Sequence, residues 1–184
     1  MSELISGKII STQINEEMRN EVENLKDRGV EPCLAVILVG ADPASAVYVR
    51  NKKRTCEELG IRSVGHDLPE TTSQKELEKL VHDLNNDPSV HGILNQFPLP
   101  NGLDESRVIR TISPEKDVDG LHPLNAGLIA IGQPSFISCT PYGVLQMLKR
   151  SDISTSGKNA VVLGRSNLVG RPIATLLSLS LIHI

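Results

Sequence analysis

The amino-acid sequence predicts an α/β fold in which helices cross over between the strands of a parallel sheet. Short, continuous apolar runs of strand length recur along the 184 residues, and amphipathic segments of helical period separate them. This alternation is typical of parallel sheets, whose strands need crossover connections. Hydrophobic residues make up 39% of the chain, which is enough for a packed core.

The first two predicted elements are a helix and a buried strand. Apolar side chains recur at helical spacing over residues 12–27, and Gly29 follows as a stop signal. Residues 33–40 form an uninterrupted apolar run, as expected for a strand that is covered on both faces.

A second helix and a second strand follow. Asp42 supplies an N-cap and Pro43 a first-turn residue, and the helix ends at Gly60. Residues 61–68 alternate weakly between apolar and polar side chains, which predicts a strand.

The third repeat of this pattern begins with a capping box. Ser73 and Glu76 have capping-box spacing ahead of a third amphipathic helix. Residues 90–97 then predict an apolar strand that is stopped by prolines, and residues 104–112 predict a short helix.

The remainder of the chain begins with a polar stretch. Residues 113–127 are rich in Pro, Gly and Asp, and we expect a functional loop that is too polar for a core element. Thr140 and Pro141 are expected to cap a helix that ends at about Arg150. Residues 160–164, AVVLG, predict another buried strand that enters a glycine turn.

Composition excludes several classes of function. A net charge of −3 gives neither the basic field that nucleic acid requires nor a polybasic patch for a membrane surface. No apolar run approaches the length of a membrane span. Three widely spaced cysteines and a lone His122 suggest no disulfide framework and no metal site. Without a recognisable targeting segment, the chain is expected in a reducing cytoplasm with small-molecule chemistry.

The second predicted helix carries the first candidate for catalysis. Tyr48 and Lys52 are four residues apart and share a helical face with small residues. A lysine that loses part of its hydration beside a phenol can take part in proton transfer near neutral pH. The alternative interpretation is a solvated surface lysine. Spacing alone does not separate the two.

Gln96 and Asp119 are candidates for ligand contacts. Gln96 lies at the carboxyl end of a predicted strand, where ligands of open α/β sheets collect, although it can equally satisfy loop amides. Asp119 belongs to the KDVDG sequence and can accept hydrogen bonds from an aminopyrimidine-like array of N–H groups. An Asx turn is the alternative there.

The last candidate is a phosphate site at Gly164, Arg165 and Ser166. A glycine turn between a strand and a helix presents backbone N–H groups to a phosphate. The spacing departs from GxGxxG, because Ser166 replaces the middle glycine and the last glycine, Gly170, comes one residue later.

Five motifs follow one another along the chain: YVRNKKRTCEELGI, GILNQFPLP, PEKDVDGLHPLNAG, CTPYGVLQML and GRSNLVGRP. The five motifs in this order are more specific than any one of them. Together they resemble the bifunctional methylenetetrahydrofolate dehydrogenase/methenyltetrahydrofolate cyclohydrolase family (FolD-like), and the resemblance covers about residues 6–178.

The resemblance implies a fold and a set of site residues. It implies a folate-binding catalytic domain at residues 1–138 and the start of a Rossmann-type NAD(P)-binding domain at residues 139–184. Lys52 looks like the catalytic lysine, Gln96 its partner, Asp119 the contact to the pterin edge and Tyr48 the ring that packs on the folate. Gly164, Arg165 and Ser166 look like the start of the NADP phosphate site.

The resemblance also implies an activity. The family oxidises 5,10-methylenetetrahydrofolate with NADP and hydrolyses the methenyl product to 10-formyltetrahydrofolate, as a cytoplasmic homodimer acting on tetrahydrofolate derivatives.

The sequence departs from the family in two places. Asn95 and Phe97 flank Gln96 where the family more often has Val and Leu. The ending LSLIHI does not resemble the next nucleotide-binding strand, so we expect a truncated or chimeric sequence and little dehydrogenase activity from these 184 residues. A folate-binding module without catalysis is the competing hypothesis.

Overall fold

The computed structural model describes residues 4–182, with no description of the side chains of residues 180–182. The last two residues of the ending LSLIHI, for which we expect a truncated or chimeric sequence, lie outside this range. Residues 15–117 form one compact unit, and the other described residues form a second. The predicted domain boundary at residue 138 stays a prediction. Within residues 4–182, no helix is both long enough and apolar enough to cross a bilayer.

The two units contain seven helices and three strands among the described residues. The elements up to residue 117 are α1 (Gly7–Asp27), β1 (Cys33–Val39), α2 (Pro43–Leu59), β2 (Arg62–Leu68), α3 (Gln74–Asn86), β3 (Gly92–Asn95) and α4 (Glu105–Thr111). Those beyond it are α5 (Pro123–Ala130), α6 (Cys139–Arg150) and α7 (Gly170–Ile182).

The sheet is parallel throughout and has the order β2-β1-β3, which confirms the predicted architecture. In the central strand, Ile37 lies opposite His66 on one side and Asn95 on the other. Alternate residues of β1 pack with α3 and α4 into the main core, because a central parallel strand buries both faces.

Local signals set the ends of α2 and α3 as predicted. The Asp42 carboxylate accepts a hydrogen bond from Ser45 N–H at 2.7 Å and opens α2, and Gly60 ends it with φ of +77°. The Ser73 and Glu76 side chains each accept from the other residue's backbone N–H and close the capping box of α3.

The segment predicted to be a polar loop contains a helix and two buried side chains, so that prediction is partly wrong. His122 and Pro123 start α5, where the ring Nδ1 of His122 accepts from Leu124 N–H at 3.1 Å. Asp117 is 2% exposed and its backbone bridges to Ile93, and Asn125 is also buried. Asp117 and Asn125 can be buried because contacts with other protein groups replace their hydrogen bonds with water.

The predicted strand at residues 160–164 is not a strand in the structure. The side chains of Val161 and Leu163 are 85% and 96% exposed. A strand requires a hydrogen-bonded neighbour, and the described part of this unit contains no other strand. The apolar pattern therefore indicates a strand propensity, but no strand among the described residues pairs with this segment.

The predicted cap of α6 is also wrong. The helix begins at Cys139, and its N-cap residue is Ser138 rather than Thr140. The Ser138 hydroxyl does not cap the helix, because it donates to the carbonyl of Leu168 at 2.8 Å. The local pattern assigned the cap to Thr140, whereas the N-cap position falls on Ser138, whose hydroxyl makes a tertiary contact instead.

Candidate active site at the end of the third strand

Lys52 and Gln96 are brought together although 44 residues separate them. The Lys52 ammonium donates a hydrogen bond to Gln96 Oε1 at 3.2 Å, and both side chains are half-buried. Lys52 lies in the middle of α2, and Gln96 is the first residue after β3, where its backbone N–H still donates to Ile37 at 2.8 Å. The strand and the helix therefore fix both partners.

The orientation of the Gln96 amide follows from its two neighbours. Gln96 Nε2 donates to the backbone carbonyl of Phe97 at 2.9 Å. A carbonyl only accepts and an ammonium only donates, so the amide oxygen must point to Lys52 and the amide nitrogen to Phe97. Gln96 consequently presents a fixed acceptor to the lysine.

The other residues predicted on this helical face divide into two groups. Ser45 and Cys56 are 4% and 8% exposed, whereas Tyr48 is 63% exposed. At about 100° per residue, Ser45, Lys52 and Cys56 lie within about 20° of one direction and Tyr48 lies about 60° away from Ser45. Tyr48 thus presents its ring to the surface one turn before Lys52, while burial raises the pKa of the Cys56 thiol.

Asp119 lies in a turn of the other compact unit and is half-buried. The next residue, Gly120, has φ of +64°, and a Cβ there would lie 2.8 Å from the backbone of residues 136–138. The turn therefore requires glycine both for its backbone angle and for space. The pterin contact predicted for Asp119 stays a prediction, as does the role predicted for Tyr48.

Lys116, three residues before Asp119, anchors the KDVDG segment. Its ammonium donates to the carbonyls of Leu84 and Asp87 at 3.0 and 2.8 Å, and its own carbonyl accepts from Ile93 N–H at 2.7 Å. A cation at the end of α3 is favourable because the carboxyl end of a helix carries a partial negative charge. Sequence reasoning missed this role, although a lysine beside two aspartates was a signal for it.

The predicted phosphate-binding residues lie at the start of α7. Gly164 and Arg165 are exposed, and Ser166 Oγ accepts from the N–H groups of Val169 and Gly170, each at 3.2 Å. A Cβ on Gly170 would lie 2.5 Å from the backbone of Gly164, so the turn packs closely on the helix. Ser166 therefore caps the helix. Whether these residues bind a phosphate stays a prediction.

Comparison with known proteins decides the family. The catalytic-domain model of the tetrahydrofolate dehydrogenase/cyclohydrolases matches residues 5–119. The chain belongs to this family. The model of the family's NAD(P)-binding domain matches residues 138–182, which include the turn at Gly164.

Two curated members of the tetrahydrofolate dehydrogenase/cyclohydrolase family are similar over nearly the whole chain. The bifunctional protein FolD of Agathobacter rectalis is 55% identical over 177 residues, which are 96% of this chain and 63% of that protein. The FolD protein of Magnetococcus marinus is 56% identical over 178 residues, which are 96% and 62% of the two chains. The chain thus spans a little over three fifths of the length of these relatives.

Solved structures of the family agree with the fold. The FolD enzyme from Campylobacter jejuni superimposes with a TM-score of 0.95 at 47% identity, over 97% of this chain and 64% of that one. The Trypanosoma brucei enzyme, solved with NADP cofactor and an inhibitor, has a TM-score of 0.92 at 35% identity, over 97% and 62%. Membership therefore rests on both sequence and structure.

Proposed function

We propose that the chain is the folate-binding part and the start of the NAD(P)-binding part of a bifunctional folate enzyme. This enzyme oxidises 5,10-methylenetetrahydrofolate to the 5,10-methenyl form with NADP and hydrolyses that product to 10-formyltetrahydrofolate. The observation that carries the proposal is the hydrogen bond from Lys52 to Gln96 at the carboxyl end of β3, in a chain of this family. We further propose a homodimer in the cytoplasm, as the resemblance implies.

Hydrolysis needs a group that moves protons beside the methenyl carbon. Water adds to this carbon and loses one proton, which leaves a hydroxyl group on the carbon. The bond from the carbon to N5 then breaks, N5 takes up a proton, and the hydroxyl group loses its proton to solvent and becomes the formyl carbonyl. In this step the unprotonated Lys52 amine, whose N–H can still donate to Gln96, accepts the first proton, and the ammonium that results returns it to N5, so that the formyl group stays on N10. Gln96 Oε1 keeps the lysine nitrogen in place between the two transfers, because the amide orientation is fixed by Phe97.

Tyr48 and Asp119 are proposed to hold the folate. The exposed ring of Tyr48 offers an apolar face for the pterin or the aminobenzoate ring, one helical turn from Lys52. The Asp119 carboxylate is suited to the N–H groups along the pterin edge. Oxidation then requires the substrate carbon to be held against the nicotinamide of NADP, which accepts a hydride.

The chain's contribution to the NADP site is the turn before α7. The exposed guanidinium of Arg165 and the amino end of a 13-residue helix supply positive charge, which suits a phosphate group. The close approach of Gly164 and Gly170 leaves the turn free of Cβ atoms on that side. These features fit Gly164, Arg165 and Ser166 as the residues that hold a phosphate of the cofactor.

The test uses protein expressed from the complete coding sequence. Incubation with 5,10-methylenetetrahydrofolate and NADP should yield NADPH and 10-formyltetrahydrofolate in equal amounts, measured by absorbance and by chromatography. Formation of neither product would contradict the proposal. Folate binding by calorimetry without either reaction would instead indicate a folate-binding module.

A further inference from the structure

We propose that Glu105 is a positioning residue for Gln96. It holds the segment of residues 97–100, FPLP, at the place from which Gln96 meets Lys52. This role rests on the proposed function, because Lys52 is the proposed catalytic group. Glu105 itself is exposed and contacts neither side chain of the pair in the hydrogen bonds described.

The side chain of Leu99 packs against the main core and the Pro100 carbonyl accepts from Leu103 N–H at 3.3 Å, but the segment has few backbone donors of its own. Pro98 and Pro100 have no backbone N–H, so Leu99 supplies the single backbone donor between residues 98 and 100. Leu99 N–H donates to the Glu105 carboxylate, with 2.9 Å between nitrogen and Oε1. A hydrogen bond to an ionised acceptor is roughly twice as strong as one between neutral groups. The Glu105 carboxylate thus accepts the one backbone N–H that residues 98–100 can donate.

The constraint on Leu99 passes to Phe97 through one torsion. Peptide bonds are planar and the ring of Pro98 locks its φ. The torsion ψ of Pro98 is therefore the only backbone torsion that is free to rotate between the Phe97 carbonyl and the Leu99 nitrogen. That carbonyl accepts from Gln96 Nε2 at 2.9 Å. Fixing the Leu99 amide therefore restricts the position of the acceptor that orients the Gln96 amide towards Lys52.

Glu105 is itself held by a rigid anchor. It is the first residue of α4, whose N-cap Asp104 accepts from Arg107 N–H at 3.1 Å. Gln74 on α3 accepts from Asp104 N–H at 2.7 Å, and the Arg107 guanidinium donates to Glu78 of α3 at 2.9 Å. Since α3 packs on the main core, these bonds tie the carboxylate of Glu105 to the sheet through two helices.

A double-mutant cycle separates this role from a general effect on folding. In protein from the complete coding sequence, Glu105→Ala should lower kcat for methenyl hydrolysis about 10-fold and change KM less than about 2-fold, because misplacing a catalytic partner costs rate rather than binding. Glu105→Gln keeps an acceptor oxygen and should lower kcat less than about 3-fold. In a Gln96→Ala background, Glu105→Ala should have no further effect beyond about 2-fold.

Controls distinguish this inference from the proposed function. Glu23→Ala makes the same change on an exposed face of α1 and should leave kcat unaltered. Full activity of Glu105→Ala, or equal losses in the two backgrounds, would overturn the inference while the proposed function stands. If the unmodified protein does not hydrolyse the methenyl substrate, hydrogen exchange of the Leu99 amide still tests the role of Glu105. The Leu99 amide should exchange at least about 10-fold faster in Glu105→Ala, and unchanged protection would overturn the role of Glu105.

Discussion

Replacing Asn95 by valine is expected to stabilise the protein. Asn95 is 1% exposed at the end of β3, and neither its Nδ2 nor its Oδ1 has a hydrogen-bond partner among the residues that the structure describes. An unpaired buried polar group costs about 1–3 kcal/mol, and valine is also favoured in strands. The residue beside it in β1 is Ile37, so a branched apolar side chain meets an apolar neighbour.

The expected gain is about 1–3 kcal/mol in the free energy of unfolding, measured by urea titration. For a chain of this size, that corresponds to a rise in Tm of about 2–4 °C per kcal/mol. The m-value should not change, because the unfolded chain exposes nearly the same surface.

A second asparagine is the matched control. Asn85 lies on α3, and its amide donates to the carbonyl of Thr111 at 2.6 Å and accepts from Ser113 N–H at 2.8 Å. Asn85→Ala should destabilise the protein by about 1–3 kcal/mol, since it leaves two partners unpaired. If Asn95→Val has a lower free energy of unfolding than the unmodified protein, the Asn95 side chain contributes favourably to folding and the reasoning from its unpaired atoms is refuted.

Three further predictions concern acid stability, thiol reactivity and a glycine turn. Hydrogen bonds lower the folded pKa of three carboxyl groups below their ordinary values, so their contribution to stability is present above about pH 4.5 and is lost as pH falls through the lowered values. The groups are Asp42, bonded to Ser45, Glu76, bonded to Ser73, and Asp87, bonded to Ser89. Urea titrations between pH 6 and 3 should show this loss, and stability that is constant over this range would contradict it. Cys139 is exposed, whereas burial raises the thiol pKa of Cys33 and Cys56. Mass spectrometry after brief alkylation at neutral pH should find Cys139 modified first. Earlier labelling of Cys33 or Cys56 would contradict this order. Gly120→Ala should lower Tm more than Gly29→Ala, because both have positive φ but only Gly120 lacks space for a Cβ. Equal losses in calorimetry would mean that the neighbouring backbone moves aside.

The sequence predicts well what local signals determine. Asp42 and Gly60 cap helix α2 as expected, because a capping carboxylate and a left-handed glycine act within a few residues. The parallel sheet was also predictable, since buried strands and amphipathic helices alternate.

Features that depend on distant partners were not predictable in the same way. Residues 160–164 have the composition of a strand, but a strand forms only where a neighbour pairs with it. The contact of Lys52 with Gln96 joins positions 44 residues apart, and spacing on α2 alone did not exclude a solvated surface lysine. Glu105 gave no signal, because an exposed carboxylate at the start of a short helix has the same pattern whether or not it accepts from Leu99.

The most direct test of the central claim is the rate of methenyl hydrolysis in Lys52→Met compared with Lys53→Met. The two changes are chemically identical and adjacent, but Lys53 is exposed, whereas Lys52 donates to Gln96. In protein from the complete coding sequence, Lys52→Met should lower kcat for hydrolysis at least about 100-fold and retain part of the NADP-dependent oxidation, because proton transfer by a positioned side chain contributes about 10²–10⁴-fold. Lys53→Met should keep both activities. Hydrolysis at the unmodified rate in Lys52→Met would contradict the role assigned to the Lys52 and Gln96 pair.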